Sequence, residues 1–134
     1  MVVFGMSSGG EFSLIPQEHS EQIVKGIIRI NPGTYQYYQL IVPSGATDAR
    51  IEGTFTASGG SGNDILVMLF PEDGFVNWKY GYNADNFYFS GKVIAGQVGA
   101  VVPSGEKVYL VFDNSFSLIS SKTVNTDIKL IYFK

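Results

Sequence analysis

The chain has 134 residues, room for one domain, and its 45% apolar and 16% charged content is too apolar for a disordered chain. Nine basic residues against twelve acidic ones give a net charge of −3, so there is no basic footprint for nucleic acid. The absence of cysteine excludes disulfides, thiolate catalysis and thiolate metal sites, and a single histidine excludes a multi-histidine centre.

Residues 1–10 (MVVFGMSSGG) have no basic n-region and too short an apolar stretch for a signal peptide. No apolar run reaches the roughly 18 residues of a membrane span. These features favour the cytoplasm over export, with the location left open. Residues 1–16 are expected to form an N-terminal segment with an edge strand at 12–15, and residues 17–134 a single sandwich domain. Residues 17–22 read as a loop or a short helical turn.

From there the chain alternates with a period of two almost throughout, which is the mark of half-buried strands. Residues 23–30 (IVKGIIRI) place Val24, Gly26, Ile28 and Ile30 on one face, with Lys25 and Arg29 opposite. Asn31-Pro32-Gly33 turns the chain, because Pro presets φ and Gly accepts a positive one. Residues 36–42 return with Tyr38, Leu40 and Val42 together. Residues 50–57 (RIEGTFTA) point Ile51, Phe55 and Ala57 inward. The glycine-rich stretch 58–63 is a loop; it lacks the lysine of a phosphate-binding loop and precedes a strand.

Residues 64–70 (DILVMLF) form a continuous apolar run, expected of a strand covered on both faces. Residues 71–86 are aromatic and weakly periodic, an excursion at one end of the fold. Residues 87–89 and 91–102 supply one or two strands, 107–112 another, and 123–133 the last, with Val124, Thr126, Ile128, Leu130 and Tyr132 on one face. The pattern predicts an all-β protein, a single antiparallel sandwich of about eight strands in the jelly-roll manner.

The chemistry-bearing residues are sparse. His19 lies in a polar segment with nothing to exclude water or orient the ring, so it reads as a solvated surface histidine rather than part of a triad. The acids Asp48, Glu52, Asp64, Glu72, Asp73, Asp85 and Asp113 are scattered and read as turn caps and solvated groups. Asn63, Asp64, Asp113 and Asn114 could offer oxygens to calcium, but their spacing matches no calcium loop, and backbone-capping turns account for them. No enzyme, metal site or cofactor is expected.

The aromatic cluster carries more weight. Phe75, Trp78, Tyr80, Tyr82, Phe87 and Tyr88 fall within fourteen positions, among Asn77, Lys79, Asn83, Asp85 and Asn86. Flat rings beside amides suit a sugar ring or a protein hot spot. Alternatively, Trp78 plugs the open end of the sandwich, with Phe75 and Val76 dipping toward the core and the more polar run 79–86 as an exposed rim. Trp78, Tyr80, Tyr82, Asn83 and Tyr88 are the candidate ligand-binding residues.

From Arg50 onward, the segments Gly53-Thr54-Phe55-Thr56, Asn63-Asp64-Ile65-Leu66-Val67, Ser90-Gly91-Lys92 and Val102-Pro103-Ser104-Gly105 form a recognisable series. It continues with residues 109–117 (YLVFDNSFS) and Ser121-Lys122-Thr123-Val124. In these the chain resembles the GOLD (Golgi dynamics) domain of Sec14-like lipid-transfer proteins and, more distantly, of secretory cargo receptors. The resemblance spans about two-thirds of the chain. It implies a compact sandwich acting as a protein-interaction or traffic adaptor without catalysis. The cysteine pair, coiled coil and membrane anchor of the cargo receptors and the lipid-transfer domain of the Sec14-like proteins have no counterpart in these residues. What carries over is the sandwich and a binding role.

Asp113 and Asn114 are expected to fold back on the backbone at a strand end, with Lys122 offsetting Asp113 across the bend. The function expected is therefore a non-catalytic binding module that engages a protein partner or associates with itself. The alternative is a small carbohydrate-binding sandwich using residues 75–88, the partner then being a glycan.

Overall fold

The computed structural model describes residues 15–59 and 62–134, so residues 12–14 of the expected edge strand and two positions of the glycine-rich loop lie outside it. Among the described residues there are eight strands and one helix: β1 (Glu18–Ile30), β2 (Tyr35–Ile41), β3 (Thr47–Ser58), β4 (Ile65–Pro71), α1 (Glu72–Lys79), β5 (Tyr88–Val93), β6 (Ala95–Val101), β7 (Lys107–Asp113) and β8 (Lys122–Phe133). They make two antiparallel four-stranded sheets, ordered β1-β8-β3-β6 and β2-β7-β4-β5. Except for the β4-to-β5 step, every connection crosses from one sheet to the other.

The alternation places the core where the sequence directs it. Ile51, Phe55, Ile65, Leu69, Leu110, Phe112, Ile128 and Leu130 are buried between the sheets. Two glycines are needed for this closeness. A Cβ on Gly96 would stand 2.5 Å from the Phe55 ring, its inward-facing neighbour in register, and one on Gly53 would strike the backbone carbonyl of Asp127 in β8.

The uninterrupted apolar run of β4 is explained by a second layer. Met68 and Phe70 of β4, with Tyr109 and Val111 of β7, face away from the first core and are covered by Phe75 of α1, with Trp78, Ala84 and Tyr35 packed around them. The helix itself departs from the expected irregular excursion. Glu72 and Asp73 in its first turn and Lys79 in its last complement the helix dipole, but its length of eight residues, with Gly74 and Asn77, gives little intrinsic helicity. Tertiary packing makes it: Phe75 stacks on Tyr109 at 4.3 Å, and Gly74 lies so near the Asp85 carbonyl that no Cβ fits.

A second departure lies at the start. Residues 18–22, expected as a loop or helical turn, form the first part of β1 and pair with β8 from Glu18 opposite Phe133, with a bulge between Gln22 and Val24. Both faces are exposed there, so no apolar alternation marks the strand.

The third departure concerns the end where β7 and β8 join. Lys122 is 1% exposed and Asn114 0%. The Lys122 ammonium donates to the Asp64 carbonyl at 2.7 Å and to Asn114 Oδ1 at 2.9 Å, and lies 3.6 Å from Asp64 Oδ1. Its partners are thus Asn114 and Asp64 rather than Asp113, whose carboxylate instead accepts the Ser115 N–H at 2.9 Å. Asn114 Nδ2 in turn donates to the carbonyls of Ile30 and Asn31 at 3.2 Å each and of Ser120 at 2.9 Å.

β7 runs between β2 and β4, and Leu110 is fully buried on its inner face. Leu110→Ala is expected to lower stability by roughly 2–5 kcal/mol, the range for large core truncations, read as a fall in the urea midpoint with unchanged slope.

Candidate functional site

The structure separates the five candidate residues into three environments. Trp78 does not close the open end of the sandwich. It projects from α1 onto the outer face of the β2-β7-β4-β5 sheet, where it meets Tyr35 edge-on at 4.9 Å and Phe70 at 5.7 Å. It is half-buried as part of the second apolar layer. Phe75 is buried with it, whereas Val76, expected to dip inward, faces solvent. An eight-residue helix presents one stripe, and Phe75 and Trp78, three positions apart, occupy it.

Tyr80 and Tyr82 lie just past the helix and are 70% and 71% exposed. Their backbone is nonetheless fixed. The Tyr80 N–H donates to the carbonyls of Val76 and Asn77, that of Gly81 to Trp78 at 3.1 Å, and that of Tyr82 to Asn77 at 2.9 Å. Gly81 takes the positive φ of 79° that closes a helix C-terminus, so the two rings stand on an ordered turn. Asn83 follows them at the surface. This part of the run 79–86 is the exposed rim the sequence predicts.

Tyr88 belongs elsewhere. It sits on β5 with its ring half-buried against the main core, and burial pushes its phenol above the ordinary tyrosine range. It lines a cavity of about 620 Å³ together with Glu52, Gly53, Thr54, Gln97, Val98, Gly99, Asp127 and Lys129. In register, Glu52 lies between Lys129 and Gly99, and Thr54 between Asp127 and Gln97, so two polar rows cross β8, β3 and β6. Gly99 leaves one end of a row without a side chain. Glu52 is held by Arg50 Nε at 2.6 Å, and Asp127 accepts from Gln22 Nε2 at 3.1 Å. Sequence reasoning missed this group. The outward alternation of β3 was the available signal, but the strands that flank it could not be read from spacing.

His19 is exposed on β1, its ring stacked on Tyr132 at 5.0 Å. Of the oxygens weighed for calcium, those of Asp64 and Asn114 flank the Lys122 ammonium and the Asp113 carboxylate accepts the Ser115 N–H, while Asn63 is exposed. Among the described residues, no three histidine, acidic or cysteine side chains gather as a metal site. No helix among them is long and apolar enough to cross a membrane.

The geometry defines an all-β sandwich with an ordered, tyrosine-bearing turn on one flank and a polar cavity across one sheet. No known family profile matches the chain, and no curated protein matches it.

Trp78→Ala is expected to cost roughly 2–4 kcal/mol, below a fully buried tryptophan because part of the ring is already wet. In the native protein, quenching of its fluorescence by acrylamide should fall between that of free tryptophan and that of a buried one. Denaturant unfolding and a quenching titration check both.

Proposed function

We propose that this chain is a non-catalytic binding module of GOLD-like, jelly-roll type that engages a protein partner through the turn carrying Tyr80 and Tyr82. The observation that carries the reading is the combination of two large rings, more than two-thirds exposed, with a backbone already fixed by the end of α1. Tyrosine adds apolar contact area with a hydroxyl at little entropic cost when its backbone is fixed in advance, which is why such rings concentrate binding energy. Asn83 adds an amide beside them. The winding β1-β8-β3-β6 against β2-β7-β4-β5 supports the jelly-roll reading. The GOLD-like reading draws on Asp113, Asn114 and Lys122 at the β7–β8 bend, where Lys122 donates to Asn114 and Asp113 accepts the Ser115 N–H.

A carbohydrate-binding role draws on a different observation, the cavity where Tyr88 meets Glu52, Gln97, Asp127 and Lys129. Acids, an amide and an amine around a ring edge suit sugar hydroxyls.

The test is affinity capture from cells that express the chain natively, with wild type and Tyr80→Ala/Tyr82→Ala compared after both pass a melting control. The double variant should keep its melting temperature to within a few degrees, since neither ring is buried. It should lose the captured protein by about tenfold or more, as hot-spot truncations do. Equal capture by both proteins contradicts the turn as the binding surface. Glycan-array binding abolished by Gln97→Ala, with the tyrosines dispensable, transfers the function to the cavity.

A further inference from the structure

We infer that β2 is an assembly edge: it pairs antiparallel with β2 of a second copy and joins two β2-β7-β4-β5 sheets into one. This rests on the binding-module reading and specifies its self-association, on a surface separate from Tyr80 and Tyr82.

The four sheet edges are not equivalent. Edge strands expose unpaired backbone donors and acceptors, and monomeric proteins protect them with charges, bulges, proline or irregular backbone. β1 carries Glu18, Glu21, Lys25 and Arg29 and is broken by a bulge between Gln22 and Val24. β5 carries Lys92, a positive φ of 68° at Gly91 and a register shift against β4. β6 (AGQVGAV) is uncharged but holds two interior glycines, which weaken a pairing strand. β2 (YQYYQLI) has none of these protections. Its seven residues pair with β7 in unbroken register and with no strand on the other side. Beside it a groove of about 340 Å³ separates β2 from β1 of the other sheet, with Tyr37, Tyr38, Gln39 and Leu40 on one wall and Glu21, Gln22 and Ile23 on the other, so β1 lies across a gap and is not paired to β2.

The strand is also complementary to itself. An antiparallel pairing centred on Tyr38 sets Tyr35 opposite Ile41 of the second copy, Tyr37 opposite Gln39, and Gln36 opposite Leu40. Aromatic rings opposite branched aliphatic ones are favourable cross-strand pairs. No charged side chain stands within either strand, so none faces a like charge. Tyr37 and Ile41, 48% and 58% exposed in the single chain, gain neighbours on the outer face. A twofold axis closes this contact at a dimer, since the same edge is used by both copies.

Sedimentation equilibrium from micromolar to millimolar concentration tests the inference. The wild type should rise from its monomer mass of 14.6 kDa to twice that and stop. Two variants probe the register. Tyr37→Lys/Gln39→Lys places like charges opposite each other in both outer rows, and should weaken the dimer by about tenfold. Tyr37→Lys/Gln39→Glu places opposite charges in the same rows and should restore most of that loss. Both lose the Tyr37 contact with Phe75, so the difference between them reports pairing rather than folding. A wild type that stays monomeric, one that grows beyond a dimer, or two variants of equal affinity overturns the edge pairing. None of these outcomes alters partner capture by Tyr80 and Tyr82, which is measured separately.

Discussion

An ammonium group taken out of water is tolerated only where oxygens replace its hydration, and this constraint sits at the join of the two sheets. Lys122 opens β8 in one sheet; Asn114 follows β7 and Asp64 precedes β4 in the other. The Lys122 ammonium is held by Asn114 Oδ1 and the Asp64 carbonyl, while Asn114 reaches back to the last residue of β1. Four segments from both sheets therefore meet on two side chains. Removing either leaves buried partners unsatisfied, a larger loss than a surface hydrogen bond carries. The Phe116 ring packs over the same ammonium at 4.8 Å, so the bend between β7 and β8 is shaped by the knot as well.

With that end held by polar bonds, the opposite flank is free to be built from rings. α1 covers the outer face of β4 and β7 through Phe75 and Trp78, and its C-terminal turn lifts Tyr80 and Tyr82 into solvent. The aromatic residues of one short segment thus fall into two kinds: those three apart on the helix stripe pack against the sheet, and those beyond its end stand in solvent. The same sheet ends in β2, an uncharged strand whose outer edge is left without a paired strand.

Much of the sandwich was legible because burial on one face imposes a period of two. β3 and β8 read directly, with Ile51, Phe55, Val124, Ile128 and Leu130 turned inward as their spacing requires. The run in β4 was legible as a strand covered twice, though what covered it was not. α1 escaped because its helicity comes from contacts with Phe70 and Tyr109, which no local pattern encodes. The start of β1 escaped because both faces are wet. Trp78 and Tyr88 share a segment in sequence but pack against different layers, because Trp78 belongs to α1 on the outer face and Tyr88 to β5 beside the main core. Lys122 was legible as part of a bend; its choice of Asn114 and Asp64 depends on β4 arriving beside it, a contact 58 residues distant in sequence.

The central claim is that Lys122 and Asn114 act as one unit in joining the sheets. A double-mutant cycle of Lys122→Met and Asn114→Ala, measured by urea unfolding, tests it most directly. The account predicts that each single variant is markedly destabilised and that the double variant loses less than their sum, with a coupling of about 2 kcal/mol. Single losses that add to within about 0.5 kcal/mol would mean that the two residues act independently, and would contradict the knot.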